Sequence, residues 1–164
     1  MTVSQHEKAA RFRALHEAPG AFVIPNPWDG GSARVLAALG FPALATSSGA
    51  QAGILGRRDG KVSREEALAH CRGIVEEADL PVSADVEKSF PDAPAEAAQT
   101  IGLAGSVGLV GGSIEDATGN KDKPLSDIGL AIERVAAAVA AARALPFPFT
   151  LTARTESFLR GNPN

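Results

Sequence analysis

Short apolar segments with strand character alternate with longer helical segments along this chain, and that alternation constrains the fold more than any other feature. The links between the segments are short, so successive strands must run parallel and be joined by right-handed crossovers. Capping boxes that begin at Ser4 and Ser63 predict two of the helix starts. The sequence therefore predicts an α/β fold with a parallel sheet. The predicted strands are residues 21–25, 42–46, 81–85, 107–114 and 147–153, and the predicted helices are residues 4–17, 32–39, 63–78, 94–105 and 126–145, with a glycine-rich loop at 47–60.

Two architectures satisfy this pattern, a doubly wound open sheet and a (β/α)8 TIM barrel. A barrel typically needs about 250 residues, so the 164 residues here would supply about its first five βα units. We expect residues 1–164 to form a single domain, the N-terminal part of such a barrel. Because the chain ends at residues 162–164, soon after the predicted strand 147–153, we also expect it to be truncated at its C-terminus.

Composition excludes several classes of protein. Hydrophobic residues make up 45% of the chain and charged residues 21%, as in globular rather than disordered proteins. No apolar run approaches the ~20 residues that cross a bilayer, and residues 1–18 lack the apolar core of a signal peptide. A net charge of -3, one tryptophan and no tyrosine give no reason to expect nucleic-acid binding. The single cysteine, Cys71, fits a reducing cytoplasm and a packed helix better than a nucleophile. We expect a cytoplasmic protein whose partner is a small molecule, with no membrane and no nucleic acid.

Polar or charged residues follow all five predicted strands, at the end where parallel α/β folds place their sites. The strand starts carry proline, alanine, valine and phenylalanine instead. We therefore expect one rim of the sheet to gather the functional side chains. The segments concerned are residues 26–29, 46–49, 85–87, 115–116 and 154–156.

Three carboxylates predict a metal site on this rim. Asp85 and Glu87 lie two residues apart, so on an extended chain both side chains point to the same side, and Glu115 follows the neighbouring strand. Such a cluster repels itself unless a cation holds it, and oxygen ligands favour Mg2+, with Mn2+ as the substitute, over zinc. All three histidines fall on predicted helices. The alternative is that each strand-end carboxylate caps the helix that follows it.

Arg154 is a candidate for binding an anionic substrate, because its guanidinium can hold a carboxylate through two hydrogen bonds. The alternative is an ion pair with Glu115 or Glu156. Residues 117–125 follow the same rim directly, and we expect this loop to fold over the site.

Ser47, Ser48 and Gly49 form a second candidate for anion binding. They offer two hydroxyls and backbone N–H groups that a ligand can approach closely, which suits a second carboxylate or a phosphonate. The alternative is an ordinary tight turn.

At these positions the chain resembles the isocitrate lyase/phosphoenolpyruvate mutase superfamily. No single motif is decisive, but the ordered set is specific and covers nearly the whole chain. The resemblance implies a (β/α)8 barrel that uses magnesium to cleave or form a C–C or P–C bond beside a 2-oxo acid, through an enolate-like intermediate. The matching stretches are NPWDGGSAR at 26–34, ATSSG at 45–49, GRRDG at 56–60, SADVE at 83–87, SIED at 113–116 and ARTE at 153–156.

The same resemblance implies roles for individual residues. Magnesium would lie near Asp85, and three further carboxylates would hold metal-bound waters. The substrate carboxylate would lie against Trp28 and the serine–glycine segment, with Arg154 in contact with the substrate. The water-holding carboxylates are those of Asp59, Glu87 and Glu115, and the segment is Ser47, Ser48 and Gly49.

The chain departs from the lyase branch in the loop 117–125, which has no Lys-x-Cys-Gly-His motif. The phosphonate branch uses lysine and asparagine there, so Asn120 and Lys121 are the candidate catalytic residues of this loop. Glu87 stands where many relatives have aspartate, which changes its reach toward metal-bound water. Family barrels also exchange a C-terminal helix between subunits, so we expect the full-length form to be a homo-oligomer, a dimer or a tetramer.

Three functional hypotheses follow from these features. The first is a magnesium-dependent lyase or hydrolase that cleaves a C–C bond in a small 2-oxo or 2-hydroxy dicarboxylate. The second is a phosphonopyruvate mutase or hydrolase that acts on a P–C bond. The third is a paralogue that binds a small carboxylate without turnover.

Overall fold

The computed structural model describes residues 3–161 and has an α/β fold built on one four-stranded parallel sheet. The strands lie side by side in the order of the sequence, and every neighbouring pair is parallel. This sequential order is typical of a barrel wall, whereas the strand order of a doubly wound sheet reverses. The predicted truncation after residues 162–164 lies outside the described residues. The strands are β1 (Leu44–Ala45), β2 (Val82–Asp85), β3 (Gly111–Glu115) and β4 (Thr150–Arg154), and the helices are α1 (Gln5–Glu17), α2 (Gly30–Ala38), α3 (Ser48–Ile54), α4 (Arg64–Glu77), α5 (Pro94–Ser106) and α6 (Ile128–Ala144).

Two of the local predictions are wrong. Residues 21–25, predicted as a strand, form no ladder within the described chain. Their bond to β1 runs from the Ala45 N–H to the Pro25 carbonyl at 3.1 Å, and β1 itself has two residues, too few to support a longer ladder. The loop predicted at 47–60 contains α3, because the Ser47 hydroxyl accepts the Ala50 N–H at 3.3 Å and caps a helix there. Its glycines lower the helix propensity of the segment, so the sequence did not predict a helix there.

Side-chain caps fix the starts of α1, α2 and α4, whereas α5 and α6 begin without one. The backbone N–H groups of Ser4 and Ser63 each donate to the glutamate three residues on, both at 2.9 Å, and each hydroxyl accepts in return. Asp29 accepts the Ser32 N–H at 2.7 Å at the start of α2. Pro94 occupies the first turn of α5, where a missing N–H costs nothing. Each side-chain cap contributes about 1 kcal/mol to the stability of its helix.

The apolar core leaves one end of the sheet to the functional residues. α1 packs across the amino ends of the strands, where Phe12 and Ala9 meet Ala43 and Val110. The amide of Gln5 fixes the helix there by donating to the carbonyls of Gly105 and Leu109 at 2.7 and 3.0 Å. The carboxyl ends of the strands lie opposite α1 and are therefore free to carry loops and polar side chains. Two further clusters fill the outer layer, one around Leu44, Ile74, Val82 and Leu109 and one around Ile101, Ile114 and Ala138.

α6 is the longest helix and one of the most apolar parts of the chain. It packs along α5 through Ala138 and Ala142, while Ile128 and Ile132 on its other side are 80% and 62% exposed. Within residues 3–161, no helix has the length and apolarity needed to cross a membrane.

Candidate active site

The carboxyl ends of β2, β3 and β4 open into one cavity of about 550 Å3. The strand register sets Asp85 opposite Ser113 and Glu115 opposite Arg154. The structure thus brings five of the eleven site residues predicted from the sequence to this cavity. The lining includes Ser48, Asp59, Glu87, Glu115 and Arg154, together with Lys61, Lys88, Thr118, Gly119, Glu156 and Arg160.

A smaller cavity of about 310 Å3 lies on the inner face of the sheet and shares Arg154 with the first. Asp85 and Ser47, which do not line the larger cavity, both line this one. Gly49 lies beside both, since a Cβ placed on it would be 3.7 Å from the Asp59 carboxylate and 4.0 Å from the Ser47 hydroxyl.

Asp85 is held in one orientation by hydrogen bonds to both of its carboxylate oxygens. Its Oδ2 accepts the Ser48 backbone N–H at 3.2 Å and the Ser48 hydroxyl at 3.0 Å. Its Oδ1 accepts the Glu87 backbone N–H at 3.1 Å. Ser48 is therefore a support for Asp85 in this structure, and Oδ1, which accepts a single bond, keeps a lone pair for a further partner.

Glu87 reaches the cavity through an unusual backbone turn. Its φ is 50°, and Ser89 and Phe90 that follow also have positive φ, at 59° and 68°. Non-glycine residues rarely adopt this conformation, and such strain gathers at functional sites. Burial raises the pKa of the Glu87 carboxyl to about 7, and the negative charges of Asp59 and Asp85 add to this effect.

Glu115 has a similarly raised pKa. Burial lifts the pKa of its carboxyl to about 7, the Arg154 guanidinium opposes the rise, and the charges of Glu156, Asp85 and Glu87 reinforce it. Burial is the main cause of both raised pKa values, and neighbouring carboxylates add to it. A proton or a cation lowers the cost of keeping the two carboxyls in the cavity.

The donor set fits magnesium held partly through water. Within residues 3–161, no three Asp, Glu, His or Cys side chains are arranged as a ready ligand group for one metal ion. The metal-site roles of Asp85, Glu87 and Glu115 stay predictions. Magnesium usually keeps several waters and binds through one or two carboxylates, which suits one direct ligand and neighbouring carboxylates that hold the waters.

Arg154 forms the ion pairs that the sequence reading kept as an alternative. Its Nη2 lies 3.6 Å from Glu115 Oε2 and donates a hydrogen bond to Glu156, which also pairs with Arg160. The Arg154 side chain is still 44% exposed, so part of its guanidinium faces the cavity. Asp116 has a structural role, because it accepts the Glu156 N–H at 2.8 Å and the neighbouring threonine hydroxyl at 2.7 Å.

Besides Gly49, three predicted residues line neither cavity. Trp28 is 62% exposed, and its carbonyl is bonded to His70 Nε2 at 2.6 Å. Asn120 and Lys121 lie on the exposed side of the loop 117–125, whose ends are joined by an antiparallel bridge between Ala117 and Leu125. Thr118 and Gly119 from this loop line the larger cavity instead. The roles of Trp28, Asn120 and Lys121 stay predictions.

The sequence reading missed the two lysines of the cavity, Lys61 and Lys88. Each is adjacent or nearly adjacent to a predicted site carboxylate, Asp59 or Glu87, and that neighbourhood was the available signal. Lys88 is also bonded to Asp92 at 2.8 Å. With Arg154 and Arg160, these lysines give the acidic cavity a cationic rim.

The sheet is part of a parallel barrel wall, and carboxylates and an arginine lie at the carboxyl ends of its strands. This arrangement is typical of the α/β barrel enzymes, whose active sites lie at that end of the barrel. A family model described as phosphoenolpyruvate phosphomutase matches residues 12–164, and the chain belongs to this family. The resemblance to the isocitrate lyase/phosphoenolpyruvate mutase superfamily is thereby confirmed, as is the barrel class of its fold.

Known relatives agree with this assignment. A 2-methylisocitrate lyase of Bacillus subtilis is 35% identical over 88 residues, which cover 53% of this chain and 29% of that enzyme. A crystal structure assigned as a lyase/mutase from Burkholderia cenocepacia J2315 is 55% identical, with a TM-score of 0.95 over 98% of this chain and 57% of its own. A 2,3-dimethylmalate lyase structure is 29% identical, with a TM-score of 0.85 over 98% of this chain and 56% of its own. The chain thus spans little more than half of the solved relatives.

Proposed function

We propose that this chain carries the metal-binding wall of a magnesium-dependent lyase or hydrolase, which cleaves a C–C bond in a small 2-oxo or 2-hydroxy dicarboxylate. One observation carries the proposal: the buried carboxyls of Glu87 and Glu115, both with pKa values near 7, share a cavity with Arg154. The carboxylates suit a cation and the guanidinium suits a carboxylate anion. A site that holds both is suited to a metal-bound acid substrate.

In this proposal, each residue of the cavity has a defined task. Ser48 orients Asp85, which is the direct metal ligand, while Asp59, Glu87 and Glu115 hold the waters of the metal. Arg154 binds a substrate carboxylate through the exposed part of its guanidinium. The chemistry that magnesium supplies when bound is stabilisation of the negative charge that develops on the substrate during cleavage.

In the same proposal, the carboxyls transfer protons and the loop 117–125 excludes water. A carboxyl with a pKa near 7 can hold or release a proton at neutral pH, which is the property required of a general acid or base. The proposed catalytic residues are Asp59, Arg154 and, from the loop 117–125, Asn120 and Lys121. Trp28, Ser47 and Gly49 would contact the substrate. Closure of the loop would bring Asn120 and Lys121 to the cavity from their present exposed position.

The second candidate is cleavage of a P–C bond, as in a phosphonopyruvate mutase or hydrolase. Two observations favour it: the description of the matching family as a phosphomutase, and a cationic rim with four basic side chains, since a phosphonate carries more negative charge than a carboxylate. The loop 117–125 also contains neither cysteine nor histidine. A lyase that uses a cysteine or a histidine as its general acid would therefore need that residue from another segment.

An NMR product screen tests both candidates. The protein is incubated with oxaloacetate, several 2-alkylmalates, 2-methylisocitrate or phosphonopyruvate, with and without Mg2+, and proton and phosphorus spectra are followed. A Mg2+-dependent carbon product supports the first candidate, and a phosphorus-containing product supports the second. Mg2+-dependent binding without any product would establish the third hypothesis, a paralogue that only binds.

Two variants locate the reaction in the proposed site. Asp85→Asn removes the direct ligand, and we expect kcat/KM to fall on the order of a hundredfold or more. Asp127→Asn makes the same change in charge at an exposed pair with Lys123, and its activity should match the unmodified protein. Equal activity in both variants would overturn the assignment of Asp85.

Assembly and location belong to the same proposal. We propose a cytoplasmic enzyme that forms a dimer or tetramer in its full-length form. Sedimentation velocity over a range of concentrations measures the assembly, and a single monomeric species throughout would contradict it.

A further inference from the structure

Thr46 stands at the end of β1, and its hydroxyl is built into the sheet. The parallel ladder between β1 and β2 runs through the Leu44 N–H to the Pro81 carbonyl and the Thr46 N–H to the Ser83 carbonyl, both at 2.9 Å. The next bond of such a ladder would join the Asp85 N–H to the backbone carbonyl of Thr46. In this structure the Asp85 N–H donates instead to the Thr46 hydroxyl oxygen, at 3.1 Å.

The substitution of a side chain for a backbone acceptor has a local cause. The chain leaves β1 at Thr46 and enters α3 within two residues, so the backbone turns away before the ladder is complete. Thr46 is 5% exposed, and its hydroxyl replaces the missing acceptor beside the metal-site aspartate. Residues 46–48 therefore hold Asp85 at two points, its N–H through Thr46 and its carboxylate through Ser48.

Cys71 contacts the same hydroxyl from the core. Its Sγ lies 3.9 Å from Thr46 Oγ1 in a geometry in which the thiol donates. Burial raises the pKa of the Cys71 thiol to about 11, so the thiol stays protonated and remains a donor at neutral pH. A hydroxyl oxygen has two lone pairs, and here one faces the Asp85 N–H and the other faces Cys71.

We infer that Thr46 is a positioning residue for Asp85, with Cys71 fixing the direction of its hydroxyl from α4. The inference rests on the proposed function, because it assumes that Asp85 binds the metal. It assigns a task to a buried cysteine and a buried threonine that the proposed catalytic groups do not use. Both act through the placement of one carboxylate.

Metal affinity tests this inference without any turnover. Mn2+ binding is measured by electron paramagnetic resonance for the unmodified protein, Thr46→Val, Thr46→Ser and Thr150→Val. Valine keeps the shape of threonine and removes the acceptor, whereas serine keeps the acceptor. We expect Mn2+ affinity to fall about tenfold in Thr46→Val, as for other residues that orient metal ligands, and to return to within about threefold in Thr46→Ser. Thr150→Val makes the same change at the amino end of β4 and should leave affinity unchanged.

A second measurement uses the unmodified protein, so it stands even if Thr46→Val does not fold. The chain has a single cysteine, so its S–H stretching band in the infrared spectrum arises from Cys71 alone. Since the thiol reaches Asp85 through one hydroxyl, saturating Mg2+ should shift this band, and Asp85→Asn should abolish the shift.

The outcomes separate the two ideas. If the unmodified protein binds Mn2+ and Asp85→Asn does not, while a folded Thr46→Val binds as tightly as the unmodified protein, the inference about Thr46 fails and the proposed site stands. An S–H band that does not respond to Mg2+ in a metal-binding protein would likewise overturn the inference. If the unmodified protein and Asp85→Asn bind Mn2+ equally, the metal site itself is wrong.

Discussion

The Glu115 N–H donates to the Glu87 carbonyl at 3.0 Å, and this bond links the two residues whose carboxyl pKa values are raised to about 7. Glu87 is also fixed by its left-handed backbone conformation, with φ of 50°. Burial, together with the charges of nearby carboxylates, opposes ionisation of both carboxyls. Protons at low pH or a cation at higher pH relieve this cost, and two predictions rest on this competition.

Metal affinity should depend steeply on pH around neutrality. Both carboxyls are protonated below pH 7 and ionised above it, so Mg2+ must displace protons as the pH falls. We expect affinity for Mg2+ to fall by up to about tenfold per pH unit below 7 for each proton displaced. Calorimetric titration at pH 6, 7 and 8, repeated in buffers with different ionisation enthalpies, counts the protons released. An affinity that stays constant from pH 6 to 8 would contradict this coupling.

The stability of the metal-free protein should respond to the same groups. A carboxyl whose pKa is higher in the folded state penalises the fold once it ionises, so stability is lost as pH rises from the ordinary value of 4.5 to about 7. The Glu87→Gln variant removes one such carboxyl. We therefore expect it to match the unmodified protein at pH 4.5 and to become the more stable of the two as pH rises through 7.

Urea unfolding in EDTA at several pH values measures this difference. Glu65→Gln is the matched control, since the Glu65 side chain is 77% exposed and lies on the outer side of α4. The difference in free energy of unfolding between Glu65→Gln and the unmodified protein should vary less with pH. A Glu87→Gln variant that is less stable than the unmodified protein at pH 8 would show that the carboxylate is stabilised in the fold rather than strained.

Sequence patterns predicted the elements that depend on neighbouring residues. The capping boxes at Ser4 and Ser63 and the proline start of α5 lie where they were expected, because a cap is decided within four residues. The segment 21–25 was harder to predict, because a strand forms only when a neighbouring strand supplies its hydrogen bonds. β1 beside it is only two residues long. α3 was missed because glycine content weakened a helix that Ser47 nevertheless caps.

The site shows the same division between local and long-range causes. Glu87 lies near Asp85 as predicted, but for another reason: β2 ends at Asp85, and a left-handed turn rather than extended alternation directs Glu87 to the cavity. Whether Arg154 is free or paired depends on where Glu156 lies after the strand, which no spacing rule gives. The position of Asn120 depends on a bridge across the loop between Ala117 and Leu125. The sequence alone therefore could not predict the distance of Asn120 from the cavity.

The Ser63 cap should stabilise the fold without affecting the site. Ser63→Ala removes the hydroxyl that accepts the Glu66 N–H at 3.2 Å, and we expect the free energy of unfolding to fall by about 1 kcal/mol. Urea unfolding measures the loss, with Ser106→Ala at the exposed end of α5 as the control. Mg2+ affinity should be the same in all three proteins. A change in affinity with Ser63→Ala would mean that the start of α4 is coupled to the cavity, contrary to this expectation.

The geometry of the Arg154 side chain, beyond its charge, should determine substrate affinity. Arg154→Lys keeps the positive charge beside Glu115 but loses the planar fork that holds a carboxylate through two hydrogen bonds. We expect the dissociation constant for oxalate, used as a small dicarboxylate probe with saturating Mg2+, to rise about tenfold, because a charge-assisted hydrogen bond contributes about 1.5–3 kcal/mol. Arg160→Lys is the matched control, since Arg160 also pairs with Glu156, at 3.6 Å, and its constant should change by less than about twofold, a rim charge contributing little. Isothermal titration at fixed pH measures all three proteins. If the two variants weaken oxalate binding equally, the effect comes from the general positive charge of the rim, and Arg154 has no special role in holding the substrate carboxylate.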